Sequence, residues 1–109
     1  DVSKNTKLSE LNCEGNQLTM LDVSKNISLT KLECSNNQLK ALEVGENATL
    51  VELMCHANQL SESALNVLFE SLPVCLENGG TLGVLLNPGS NTADESLAIG
   101  KGWKIRRFL

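Results

Sequence analysis

Tyrosine is absent from this chain, and one tryptophan with two phenylalanines brings the aromatic share to only 3%. Leucine and valine must therefore fill the interior, an economy that suits a narrow stack in which each layer buries its apolar face only against its neighbours. No apolar run approaches the roughly 18 residues that a membrane-spanning helix needs, and no charged-then-apolar leader opens the sequence. Cations are scarce over most of the length, since residues 1 to 99 hold five lysines against thirteen aspartates and glutamates. A body at about −8 is a poor match for nucleic acid, whose binding is dominated by neutralised phosphates. Lys101, Lys104, Arg106 and Arg107 crowd the last nine positions and are read as a solvated end rather than an anion site. The single histidine, His56, has no serine, cysteine or carboxylate set beside it by any motif. No catalytic centre is marked, and neither an enzyme nor a cofactor or metal is expected.

What the sequence does hold is a period. Leu8-x-x-Leu11-x-Cys13-x-x-Asn16-Gln17-Leu18 returns at Leu29 to Leu39 and again at Leu50 to Leu60, each step being 21 residues. Leucines, one cysteine and one asparagine held in phase at that spacing match the pattern L-x-x-L-x-L-x-x-N-x-L of leucine-rich repeats. Such a chain is a solenoid that displays a surface. The 109 residues, 41% of them hydrophobic, fit one domain over 1–109, with tandem repeats over 1–60 and a capping region over 61–109. Asp1 to Asn5 is in phase with Asp22 to Asn26, so the chain opens mid-repeat without a polar cap. It is therefore expected to be the C-terminal part of a longer protein.

Each unit divides again, because Leu18-x-x-Leu21-x-Val23-x-x-Asn26 follows Leu8 to Asn16 at an offset of ten. Apolar residues two apart, such as Leu11 and Cys13, give the alternation of a half-buried strand. The fold class expected is α/β: a right-handed leucine-rich-repeat solenoid with parallel strands at 10–14, 31–35, 52–56 and 81–85 on the concave side. A second parallel ladder, at 20–24 and its equivalents, is the alternative to the helix, turn or irregular chain that ordinary repeats of this kind put on the convex side.

Asn16, Asn37 and Asn58 form one column and Asn5, Asn26 and Asn47 another, each where the chain must turn. Their amides are read as partners for turn backbone that would otherwise be buried unpaired, not as ligands. Cys13, Cys34 and Cys55 take the inward position beside Leu11, Leu32 and Leu53, stacked at the ~4.8 Å spacing of adjacent strands. Three thiols in a row do not surround one point as a zinc site requires, and cysteines in register sit too far apart for a relaxed disulfide. Free, buried, reduced thiols are expected.

After Leu60 the period gives way to a helical stripe, with apolar residues at 64, 65, 68, 69 and 72. Ser61 can cap this helix and Pro73 stops it. Gly79-Gly80 then leads to a fourth strand, in which Leu82, Val84 and Asn87 repeat the spacing of Leu53, Cys55 and Asn58. A second helix is expected from a cap at Asn91 or Thr92 through Ile99, and a last strand over Trp103 to Arg106 with Trp103 and Ile105 turned inward.

The unit L-x-x-L-x-C-x-x-N-Q-L-x-x-L-D-V-S-x-N, with A-L-N-V-L-F-E-S-L-P, N-P-G and K-G-W after it, resembles the leucine-rich-repeat surface proteins of Bacteroidetes-type bacteria and, more distantly, internalins. Glu43-Val44-Gly45-Glu46 departs from the D-V-S-K of the other copies. The resemblance implies an extracellular or surface-anchored protein that binds a protein or glycan, a host molecule among the candidates, and it brings no residue-level site. By phase, the residues pointing out of the concave strands are Glu10, Asn12 and Glu14; Lys31, Glu33 and Ser35; Glu52, Met54 and His56; then Thr81, Gly83 and Leu85. Glu10, Lys31 and Glu52 alternate charge along one column, which favours register. Met54, His56, Leu85 and Leu86 make the face more apolar toward the cap, as a partner surface would be. No nucleic acid is expected as partner, a monomer is expected, and a structural spacer without a ligand is the alternative function.

Overall fold

The computed structural model describes residues 1–107; Phe108 and Leu109, at the end of the expected capping region, lie outside the described residues. Five short strands, β1 (Glu10–Asn12), β2 (Lys31–Glu33), β3 (Glu52–Met54), β4 (Gly80–Gly83) and β5 (Trp103–Ile105), form one parallel sheet in chain order. The period sets the register: Leu11 pairs with Leu32, Leu32 with Leu53 and Leu53 with Leu82. The strands stop two residues short of the expected ends because Gly15, Asn36, Ala57 and Leu86 turn left-handed. Ladder bonds nevertheless run past them, as in Cys13 N–H to Glu33 O at 2.8 Å and Gly15 N–H to Ser35 O at 3.1 Å.

Leucines from every coil fill the core, and Leu29, Leu39, Leu50, Leu53 and Leu60 have no exposed surface. At roughly 1.5–3 kcal/mol per buried leucine, these layers supply most of the driving force. Leu8, Leu11, Cys13, Leu18 and Leu21, in the first coil, are only half-buried.

The convex side departs from the two-ladder alternative, since no strand forms at residues 20–24 or 41–45. Backbone bonds from Gln38 N–H to Leu18 O and Gln59 N–H to Leu39 O mark its edge. Beyond them the Asn47 side chain joins coils by donating to Val23 O and Asn26 O, at 3.0 and 2.8 Å. In the third coil this side becomes the helix α1 (Glu62–Ser71). A helix about 10 Å across cannot keep the ~4.8 Å spacing a strand ladder needs.

The helix begins as its sequence dictates: Ser61 Oγ accepts the Ala64 N–H, while Leu65, Leu68 and Phe69 turn into the core. Its other end carries no cation of its own. Lys101 supplies one from 29 to 32 residues away, donating Nζ to the carbonyls of Phe69, Glu70 and Leu72. A cation there meets both unpaired carbonyls and the negative end of the helix dipole. Trp103 closes the stack, with its indole N–H on Pro73 O at 2.8 Å. Gly80 makes room beneath the ring, because a β-carbon there would lie 2.7 Å from it.

The second helix, α2, is shorter than expected, covering only Ser96–Ile99. Residues 89 to 93 are spent on turns instead, with Thr92 N–H and Ala93 N–H both donating to Gly89 O. Neither Asn91 nor Thr92 is therefore its cap. Glu95 stands at the cap position without a side-chain bond, and Asp94 Oδ1, one residue earlier, accepts the Ser96 N–H at 3.1 Å.

Candidate functional site

The asparagine columns come first, because they hold the sheet face rigid. Asn58 Oδ1 accepts the Leu39 N–H at 3.0 Å, and its Nδ2 donates to Cys34 O and Cys55 O at 3.1 Å each. Asn37 repeats the arrangement one coil earlier, with Leu18 N–H, Cys13 O and Cys34 O as partners. Asn87 carries it into the cap, where Oδ1 accepts from Leu60 N–H and Asn58 N–H. Each amide thus satisfies buried backbone on two coils at once, which fixes the spacing between them. Asn16, at the open end, is exposed and bonds only within its own turn.

Between the strands and these turns stand the cysteines. Cys34 and Cys55 are fully buried, whereas Cys13, in the half-covered first coil, is partly exposed, so full burial of all three is not realised. All four thiols, Cys75 included, are free. Burial first, then Glu33, pushes the Cys55 thiol up to about 12. The Cys34 thiol is raised further, by burial and then by Cys55, Cys13 and Glu33. Thiols buried and held protonated in this way pack as small apolar groups. Among the described residues no three His, Cys, Asp or Glu side chains gather to hold a metal ion.

Outward from the strands, the expected surface is only partly what the phase implies. Glu10, Asn12, Glu14 and Lys31 are exposed, and Glu33, Glu52, His56 and Leu85 are half-exposed. Glu10 and Lys31 approach to 3.8 Å across β1 and β2, a solvated pair that contributes little to stability. Ser35 is buried instead of presented: its Oγ and N–H both donate to the Glu33 carboxylate, and Glu14 lies 3.3 Å away. Met54 is likewise buried, at 5% exposure. Gly83, opposite it on β4, has no side chain to hold the methionine upright, so Met54 lies flat over the glycine. These two residues shape the surface without offering themselves to a partner.

The cationic end is solvated as expected at Lys104, Arg106 and Arg107, which are exposed, whereas Lys101 is half-buried against the end of α1. Lys104 pairs in register with Thr81, so it continues the column Glu10, Lys31, Glu52, Thr81 across the whole sheet. Arg106 N–H donates to Leu82 O at 2.8 Å, and Arg107 pairs with Glu95 at 2.8 Å. The sheet face is therefore acidic over the first three coils and cationic on the last strand.

A groove of about 900 Å³ lies on the opposite side, between α1 and the irregular convex segments. Met20, Lys40, Glu43, Glu46, Ala64 and Val67 are among the residues that line it. It arises where the wide helix follows two thin coils. Nothing in the repeat pattern foretells it, because it depends on a change of thickness between coils.

Parallel strands in chain order, one asparagine bracket per coil and a helical cap define a leucine-rich-repeat solenoid. Among solved structures, the functional domain of InlJ from Listeria monocytogenes, which includes a cysteine ladder, is similar at 30% identity and a TM-score of 0.65 over 90% of this chain. The chain spans 20% of the length of that structure. No family profile matches the chain, and no curated protein does. The likeness is thus to an internalin-like leucine-rich-repeat protein, and Cys13, Cys34 and Cys55 form a cysteine ladder here as well. No helix among the described residues is long and apolar enough to cross a membrane.

Proposed function

We propose that residues 1–109 act as one domain, a protein- or glycan-binding adhesion module of a bacterial surface or secreted protein of the Bacteroidetes type, working through its concave sheet face. It is a binding module and not an enzyme, it works as a monomer, and its partner is a protein or glycan of host origin. One observation carries this reading: register and the asparagine brackets hold Glu10, Asn12, Glu14, Lys31, Glu33, Glu52, His56 and Leu85 on a single continuous surface. Rigid presentation lowers the ordering cost of binding. Ser35 and Met54, proposed by phase as contacts, serve this surface from below. The likeness to InlJ supports the general class.

The test is charge reversal. Glu33→Lys with Glu52→Lys reverses the local field and leaves the inward leucines untouched; it also removes the bonds from Ser35, so circular dichroism and urea unfolding check that the variant folds. Proteins from host surfaces and a glycan array should lose binding to this variant and keep it to Arg106→Glu with Arg107→Glu. The opposite pattern would move the site to the cationic end. Equal binding by all three would put the site on another surface, and binding by none would leave the chain a spacer.

A further inference from the structure

The residue before the ladder asparagine is left-handed in every coil, with φ of +71° at Gly15, +56° at Asn36, +54° at Ala57 and +61° at Leu86. Glycine and asparagine tolerate that conformation, whereas a leucine is strained in it. Leu86 is also 66% exposed, so its side chain gains little from the core in return. Two unfavourable features coincide at a position where the same chain elsewhere uses glycine, asparagine or the small alanine. Strain held at an exposed apolar residue points to contact with something outside the chain.

The neighbourhood says what kind of thing. Leu86 follows Leu85, which stands in one column with Glu14, Ser35 and His56, and Ala57 N–H donates to Leu85 O at 2.9 Å. Toward the first coil the face is acidic, with Glu10, Glu14, Glu33 and Glu52 against Lys31 alone. We infer that Leu86 is the apolar anchor of the sheet-face surface, and that its occupant is an extended protein segment carrying an apolar residue and, several residues along, basic ones. This rests on the sheet-face reading above. Three strand spacings, about 14 Å, separate the Glu14 strand from the Leu85 strand. An extended segment crosses that distance in about four or five residues. The basic and apolar residues of the occupant are therefore set about that far apart.

A library of twelve-residue peptides displayed on phage, panned against the whole chain, supplies the probe, with a glycan array alongside. Selected peptides should carry Lys or Arg about four residues from an aliphatic or aromatic one. They should bind Leu86→Asn at least tenfold more weakly, while that variant unfolds at higher urea than the parent because the strain is gone. If they bind Leu86→Asn as well as the parent but lose Glu33→Lys with Glu52→Lys, the anchor is wrong and the sheet-face reading stands. If neither change matters, both fail. Unfolding of Leu86→Asn at lower urea would make Leu86 structural and overturn the inference. So would selected peptides without basic residues, no selected peptide at all, or binding confined to glycans.

Discussion

A β-carbon at Gly83 would stand 2.7 Å from the sulfur of Met54 and 3.5 Å from His56 Nδ1. The methionine is thereby laid flat across β3 and β4, and the centre of the sheet face is smooth. Gly83→Ala should lift Met54 into solvent and cost about 1–3 kcal/mol of stability, as overpacking does. Met54→Ala in the same chain should recover part of that loss, because residues in contact are not additive. Urea unfolding of the two single variants and the double variant checks it; strictly additive losses would mean that the glycine matters for another reason.

The asparagine brackets should show position-dependent cost although the residue is the same. Asn58→Ala leaves the buried Leu39 N–H bare, while the Cys34 and Cys55 carbonyls lose one of two amide donors and keep Asn37 and Asn87. At about 1–3 kcal/mol for the one buried group left bare, the loss should exceed about 1 kcal/mol by urea unfolding. Asn16→Ala, at an exposed turn, should stay within about 0.5 kcal/mol of the parent.

Stability should fall in alkali through the buried thiols. Cys55 is raised to about 12, and Cys34 is raised as well, so both stay protonated in the folded chain after unfolded thiols have ionised. Above about pH 8.5, the ordinary thiol range, the unfolded state binds fewer protons and is favoured. Two such groups give a slope approaching about 2.7 kcal/mol per pH unit until the folded thiols titrate in turn. Cys34→Ala with Cys55→Ala should flatten that slope. Thiol labelling at neutral pH should reach Cys13 and Cys75 first and leave Cys34 and Cys55 until the chain opens.

Lys101→Met removes the cation from the end of α1 and leaves the carbonyls of Phe69, Glu70 and Leu72 unmet by it. A loss of about 1–2 kcal/mol is expected, from the lost hydrogen bonds and the lost dipole interaction. Amide exchange should quicken in the last turn of α1 ahead of the sheet.

Much of this architecture is legible in the residues themselves, because a 21-residue period must stack Leu11 on Leu32 on Leu53. Even the jump to Leu82 is readable, since the spacing to Val84 and Asn87 survives the inserted helix. The site is less so. Phase says which way a backbone position points but not how far its side chain travels, and that is why Ser35, turned back onto Glu33, and Met54, lying over Gly83, are buried. Lys104 was readable as a charge but not as a member of the sheet column, because its partner Thr81 is fixed only by the way the cap folds back. The left-handed column ending in Leu86 leaves its trace at Gly15 and Asn36, residues that suit such a backbone.

The sheet face as the binding surface is the claim on which the rest depends, and amide chemical-shift mapping tests it most directly. A peptide or partner selected on the whole chain is titrated into the isotope-labelled protein. Shifts should cluster on Glu10 to Glu14, Glu33 to Asn36, Met54 to Ala57 and Leu85 to Leu86. Shifts concentrated instead on Met20, Lys40 to Glu46 and Val67, around the convex groove, would contradict it.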